Sequence, residues 1–382
     1  MLDEARQRTE RFKQKLDQAG IGLAILTDES SIAYFAGFWG YLGVEFGRPT
    51  MLLISPEREP VILTPMMESE MVGNMTWITD IRGWEDFGDN SWQVALNAAV
   101  DRVNGTVGIE QNQIPAIVLQ NLVETGASTT GIGAMIGELR KVKSPAEIRV
   151  MKQAGEIAGA MMAAAHQSLA ADVPEYESAL AVINAGTRKA AGFLTDRGWE
   201  AFVSPLIHNL QILQSGRDTS MVHRRASVKR YDPGDPVYFC FCNMAEFKQY
   251  KLGFDRMFFI ENVGDEEARV QQAAIDAQQA AIAAIRPGIR AEEVAFAADE
   301  IYAERGYQTG YRTGRAIGMA YLESPELKAG DKTLLEPGMT FAVDGGISVD
   351  GACGGRIGDS IVVTETGCEY LTEYPREILI AG

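Results

Sequence analysis

The chain has 382 residues, 46% of them apolar, so it outgrows a single core of roughly 250–300 residues and is not disordered. Its 35 basic against 52 acidic residues leave a net charge of −17, with no block of like charge, which argues against nucleic acid or anionic membranes as partners. No apolar run reaches the ~18 residues of a membrane span, and the four cysteines (Cys240, Cys242, Cys353, Cys368) lack disulfide-framework spacing. The opening MLDEARQRTERFKQKL is charged from residue 3 and has no apolar centre of a secretory leader, so a cytoplasmic protein is expected.

In chain order, residues 3–18 read as an amphipathic helix with Phe12 and Leu16 on one face. Strands follow at Leu23–Thr27, Thr50–Ser55, Pro60–Thr64, Trp77–Asp80 and Thr106–Ile109, with helices at SIAYFAGF and Trp92–Val103 between them. That alternation describes an α/β domain over residues 1–142 with a parallel or mixed sheet. At Ser144 the style changes. Ser144 and Glu147 form a capping box with Pro145 in the first helical turn, and a helix of some 27 residues is expected to follow. A second helix (PEYESALAVINAGTRKAA), short strands to residue 241, a strand at Lys248–Ile260, helices at Glu266–Ile285 and Ala291–Arg305, and closing strands after Glu336 complete an α+β domain over 143–382. Its two helix-then-strand halves, 143–263 and 264–382, suit an internal pseudo-twofold.

Two phrases stand out near the end: Leu334-Leu335-Glu336-Pro337-Gly338-Met339 before Thr340–Val343, and Gly354-Gly355-Arg356-Ile357-Gly358-Asp359 before Ser360–Thr364. Asp344 and Asp359 close them. Together with the Gly234-Asp235 turn, VYFCFCN, QYKLGFDRMFF and Gly314-Arg315-Ala316-Ile317-Gly318, they resemble the pita-bread fold of methionine aminopeptidase, prolidase, aminopeptidase P and creatinase. In metal-dependent members five ligands hold a dinuclear centre. Matched position by position, those places fall here on Cys240, Gly253, Arg315, Asp344 and Gly358, and only Asp344 is an acid. Two dications need several anionic or imidazole ligands, so the expectation is no metal and no cofactor.

The remaining pattern resembles the creatinase and ectoine hydrolase branch. The resemblance places His223, in SGRDTSMVH, at the catalytic histidine. It puts Asp255 and Asp344 at two substrate-binding acids. Phe46 and Arg48, in FGRP, match residues that reach into the neighbouring subunit of a homodimer. Arg315 and Arg356 are further candidates for a substrate carboxylate. The implied reaction is hydrolysis of a non-peptide C–N bond in a small zwitterionic amidine or guanidino acid. A histidine with an ordinary pKa near ~6.5 can activate water and then protonate a nitrogen leaving group. Paired carboxylates can hold the planar cation.

Structural readings stand beside these. His166 and His208 read as structural, and Cys240 and Cys242 as small buried strand residues. Asp255 could pair with Arg256, Asp344 could belong to a turn before Gly345-Gly346, and Arg356 could pair with Asp359. Two other functional classes remain open on sequence: a non-catalytic pita-bread binding module, and a metal-dependent Xaa-Pro peptidase or lyase with atypical ligands.

Overall fold

The computed structural model describes residues 2–38, 47–86, 88–103, 105–195, 203–207, 212–221, 223–242, 244–308 and 312–382. Phe46 and His208 lie outside them. The chain divides into two compact units, residues 1–140 and 141–382.

The first unit runs α1 (Leu2–Gln18), β1 (Ile21–Leu26), α2 (Glu29–Ala36), β2 (Met51–Ile54), β3 (Val61–Pro65), α3 (Ser69–Met75), β4 (Asp80–Trp84), α4 (Trp92–Val100), β5 (Thr106–Ile109), α5 (Ala116–Glu124), β6 (Thr129–Gly131) and α6 (Gly133–Arg140). Its six strands form one mixed sheet ordered β4-β3-β2-β1-β5-β6. The β1–β2 and β2–β3 pairs are antiparallel, while β1–β5, β3–β4 and β5–β6 are parallel. Phe12 and Leu16 of α1 are fully buried, as their spacing predicts. The fourth strand begins at Asp80, three residues later than the sequence suggests, and α3, α5 and α6 were not anticipated.

The second unit opens on α7 (Pro145–Gln167), with the expected capping box formed in both directions: Glu147 N donates to Ser144 Oγ at 3.2 Å and Ser144 N to Glu147 Oε2 at 2.8 Å. It continues through α8 (Glu175–Thr195), β7 (Ile212–Ser215), β8 (Pro236–Cys240), β9 (Glu246–Phe247), β10 (Tyr250–Lys251), β11 (Asp255–Ile260), α9 (Asp265–Ala284), α10 (Ala291–Glu304), β12 (Gly314–Ala316), β13 (Glu323–Leu327), β14 (Thr340–Val349), β15 (Cys353–Val363), β16 (Cys368–Tyr370) and β17 (Leu379–Ala381). The strand expected over Lys248–Ile260 is broken. Lys248 and Gln249 take left-handed φ values of 50° and 68°, closing a β9–β10 hairpin, and the long strand starts only at Asp255.

A nine-stranded sheet carries the unit, with the path β13-β12-β14-β15-β11-β8-β7 and β16 and β17 alongside β15 and β11. Helices α9 and α10 pack on one face of β12, β14 and β15 through Val270, Ala274, Ala277, Phe341, Val343 and Ile361. On that same face His166 of α7 meets Phe258. The approach of α9 is close enough that a Cβ on Gly345 would collide with the carbonyl of Ala274, so only glycine fits there. The two helix-then-strand halves meet where β11 pairs with β15, at Asp255 opposite Gly358.

Candidate active site

Side chains alternate across a strand, and directly opposed residues of an antiparallel pair share a face. The register therefore decides which residues meet. Cys240 lies opposite Asp255, Asp255 opposite Gly358, Gly358 opposite Asp344, and Ala342, two residues before Asp344, opposite Arg315. All of these point away from α9 and α10. Four strands thus bring Cys240, Asp255, Asp344 and Arg315 to one patch on the helix-free face.

Asp344 is a mid-strand residue, so the turn reading does not hold. Gly358 makes the space its carboxylate uses. A Cβ there would collide with Asp255 Oδ2 and lie 3.0 Å from Asp344 Oδ1, so the two acids converge over the glycine from either side. Asp255 is 4% exposed, and no donor among the described residues reaches its carboxylate. Burial, with the Asp344 charge next in importance, holds its pKa well above the ordinary aspartate value. Arg256 does not neutralise it. That guanidinium turns to the other face, where Nη2 donates to Asp359 Oδ1 at 2.9 Å.

Arg315 is 2% exposed. Its Nη1 donates to Asp344 Oδ2 and its Nη2 to Cys242 Sγ at 3.6 Å, with Cζ 4.2 Å from the centre of the Tyr321 ring. Gly253 opens the room it occupies: a Cβ there would lie 3.1 Å from Arg315 Nη2 and 2.6 Å from Ala342 Cβ. Arg315 Nε and Asp344 Oδ1 are buried polar atoms without a hydrogen-bond partner. Cys242 is half-buried, and its sulfur, that of Cys240 and a carboxylate oxygen of Asp255 lie within 4.8 Å of one another. Neither Cys242 nor Tyr321 was singled out as a site residue from sequence. The Cys-x-Cys alternation could have placed Cys242 on the Cys240 face, but nothing local announces Tyr321.

The other expected residues are placed differently. His223 is exposed in the loop after the 3-10 turn Gly216–Ser220, and no hydrogen bond or ion pair joins it to Asp255 or Asp344. Its neighbour Arg224 is anchored, donating from Nη1 to Glu175 Oε2 at 2.9 Å and from Nη2 to Oε1 at 2.5 Å. Arg356 shares the face of Asp344, but among the described residues it pairs with no acid. Its guanidinium donates to the carbonyls of Ile347 and Gly355 and to Ser348 Oγ, so the expected partnership with Asp359 is not formed. Arg48, in the first unit, pairs with Asp86. His166 is structural, as read from sequence, contacting Tyr374 Oη at 2.9 Å and the Ile380 carbonyl at 3.2 Å.

As a donor set, two thiols and two aspartates with a guanidinium among them do not suit two hard dications. Such ions take oxygen or imidazole ligands, and Arg315 already sets its own positive charge against Asp344 and Cys242. What the patch can do is bind a group carrying both charges, with an acid of raised pKa and a sulfur beside it.

Helix pairs backing one face of an antiparallel sheet, behind an α/β domain, define the pita-bread class of hydrolases. Residues 149–365 match the profile of metallopeptidase family M24 and residues 8–142 that of the creatinase/prolidase N-terminal domain, and the chain belongs to family M24. It is similar to the agropine synthesis cyclase of Rhizobium rhizogenes, at 28% identity over 97% of this chain and 96% of that protein. Similarity to the ectoine hydrolase of Halomonas elongata is 24% over 99% and 97%. The Xaa-Pro dipeptidase of Lactobacillus helveticus is 26% identical over 97% and 98%. Among solved structures, the Thermococcus sibiricus prolidase superposes with a TM-score of 0.85 at 22% identity, covering 98% of each chain, which establishes the fold. Among the described residues, no helix is long and apolar enough to cross a membrane.

Proposed function

We propose that this member of the family hydrolyses a non-peptide C–N bond in a small zwitterion carrying an amidine or guanidino group and a carboxylate, and does so without a metal. The observation that carries the reading is the convergence of Asp255 and Asp344 over Gly358 beside the buried guanidinium of Arg315. Two carboxylates suit a planar cation through charge-assisted hydrogen bonds. Arg315, braced on Tyr321, suits the carboxylate at the substrate's other end. His223 is assigned general acid–base work, its loop tethered through Arg224 to Glu175. The named activities of the ectoine hydrolase and agropine synthesis cyclase relatives fit a non-peptide substrate, while the Xaa-Pro dipeptidase relatives favour the peptidase alternative. Against that alternative stands the guanidinium among the acids. The reading includes a cytoplasmic homodimer in which Arg48 of one copy, released from Asp86, serves the other copy's substrate.

The test is a panel of guanidino, amidine and cyclic amidine carboxylates alongside Xaa-Pro dipeptides, assayed for released amine with and without chelator. The expected outcome is turnover of a small amidine or guanidino acid that chelator leaves unchanged and that His223→Ala lowers by about 10²–10⁴-fold. Turnover of dipeptides alone, abolished by chelation, overturns the reading.

A further inference from the structure

Among the four cysteines, burial holds the Cys240 thiol well above the ordinary range, pushes Cys353 up to about 11 and raises Cys368. Cys242 differs in placement. It is half-buried, on the helix-free face, with its sulfur accepting a hydrogen bond from Arg315 Nη2 at 3.6 Å. A guanidinium at that position stabilises negative charge developing on sulfur. Two further features of the patch point to a ligand: the carboxylate of Asp255, 4% exposed, within 4.8 Å of the sulfur and reached by no donor among the described residues, and the Nε of Arg315, itself 2% exposed, which with Asp344 Oδ1 is a buried polar atom without a hydrogen-bond partner. A cysteine retained only to fill space would need none of this.

We propose that Cys242 is the nucleophile of the reaction, forming a covalent thioimidate with an amidine carbon, or an S-linked isothiourea with a guanidino carbon, as the bond from that carbon to nitrogen is broken. This rests on the C–N hydrolase reading above and specifies how that site works. The sulfur adds to the amidine or guanidino carbon, and the thiol proton passes by way of the Asp255 carboxylate to the leaving nitrogen. The S–C bond forms, the C–N bond breaks and the amine departs neutral. Water, activated by His223 as general base, then adds to the same carbon, the S–C bond breaks, and one water proton returns by way of His223 to sulfur. No oxidant, reductant or further reactant is needed, and splitting one difficult step in two is the ordinary gain of covalent catalysis. Arg315 supports the sulfur in both steps and Asp255 carries the proton, which gives that buried carboxylate a task.

Two measurements on the full chain test this. In the first, iodoacetamide labels the wild-type protein at neutral pH and each cysteine is followed by peptide mass spectrometry. Cys242 is expected to label fastest of the four, and Arg315→Gln to slow it roughly tenfold while leaving Cys368 unchanged. Cys242 labelling no faster than Cys368, or indifferent to Arg315, overturns the proposal whatever the substrate proves to be. In the second, the best substrate of the panel is mixed with enzyme, quenched in acid and weighed intact. The expected adduct, located on Cys242, is substrate minus its amine for an open-chain substrate and the whole ring-opened substrate for a cyclic amidine. Cys242→Ala is expected to lose at least about a thousandfold in kcat while keeping its melting temperature, with Cys368→Ala as the unaffected control. Near-normal turnover by Cys242→Ala removes the covalent route but leaves the hydrolase reading standing. No turnover of any panel member by the wild type removes the hydrolase reading, and the labelling result then decides the reactivity of Cys242 alone.

Discussion

Gly358 and Asp359 are neighbours on β15 that face opposite sides of the sheet, and the two sides treat carboxylates in contrary ways. On the helix side Asp359, fully buried, accepts from Arg256 Nη2 at 2.9 Å, Thr372 Oγ1 at 3.0 Å, Gln278 Nε2 at 3.0 Å and Arg376 Nε at 3.0 Å. On the open side Asp255 is nearly as buried and has no donor among the described residues, and Asp344 keeps one buried oxygen unpartnered. A buried acid surrounded by donors locks a sheet to its helices. One left without them sits at a cost in stability, which makes it a candidate for binding or reaction. The difference separates the anchored carboxylate from the two candidate site carboxylates more clearly than burial does.

The contrast can be broken most sharply at Asp359. Replacing it with Ala leaves Arg256 buried without its partner and is expected to cost about 3–5 kcal/mol, read from chemical denaturation at neutral pH. A loss below 1 kcal/mol on that scale would remove the anchoring role. Next comes Gly358→Ala. Its added methyl meets both carboxylates, so overpacking is expected to cost about 1–3 kcal/mol and turnover to fall further than stability does. Unchanged turnover would mean that the convergence over Gly358 is not the working geometry.

Asp255→Asn sharpens the comparison through pH. The folded chain raises the pKa of Asp255, so it binds the proton more tightly than the unfolded chain does. The associated stabilisation is complete below the unfolded value near 3.8 and is lost as pH rises through the folded value. Wild type is therefore expected to lose stability relative to Asp255→Asn as pH climbs from about 4, while the variant loses activity. Parallel stability curves for the two proteins would show that Asp255 is not held protonated by its surroundings. The smallest effect belongs to Arg48→Ala. Its half-exposed pair with Asp86 is worth at most about 1 kcal/mol, so melting should barely move. KM is expected to rise in this variant, and an unchanged KM for the preferred substrate would detach Arg48 from binding.

Much of the architecture was legible in local chemistry. The Ser144–Glu147 capping box and the Phe12–Leu16 spacing are signals written within a few residues. The break at Lys248 and Gln249 was missed because neither is glycine, and nothing in their identity declares a left-handed backbone. Of the candidate site, Asp255 and Asp344 are named by the family resemblance, and the strand register sets them on one face. The contact of Arg315 with Cys242 was not legible, since 73 residues separate them and only strand pairing joins them.

By itself the sequence determined the two-domain composition, the order and type of the main elements, the family frame and the two acids worth watching. Residue type and position at the end of a strand phrase do not tell Asp344 from Asp359, and it is the resemblance that singles out Asp344. A period of two says which residues share a face, but not which face meets the helices or which strand lies alongside. Register supplied both. With Asp255, Gly358 and Asp344 set abreast, one aspartate is turned toward four donors and two toward an open patch beside a guanidinium and a sulfur. That assignment is a property of long-range pairing, because electrostatic environment depends on what the fold brings near rather than on what the chain places next.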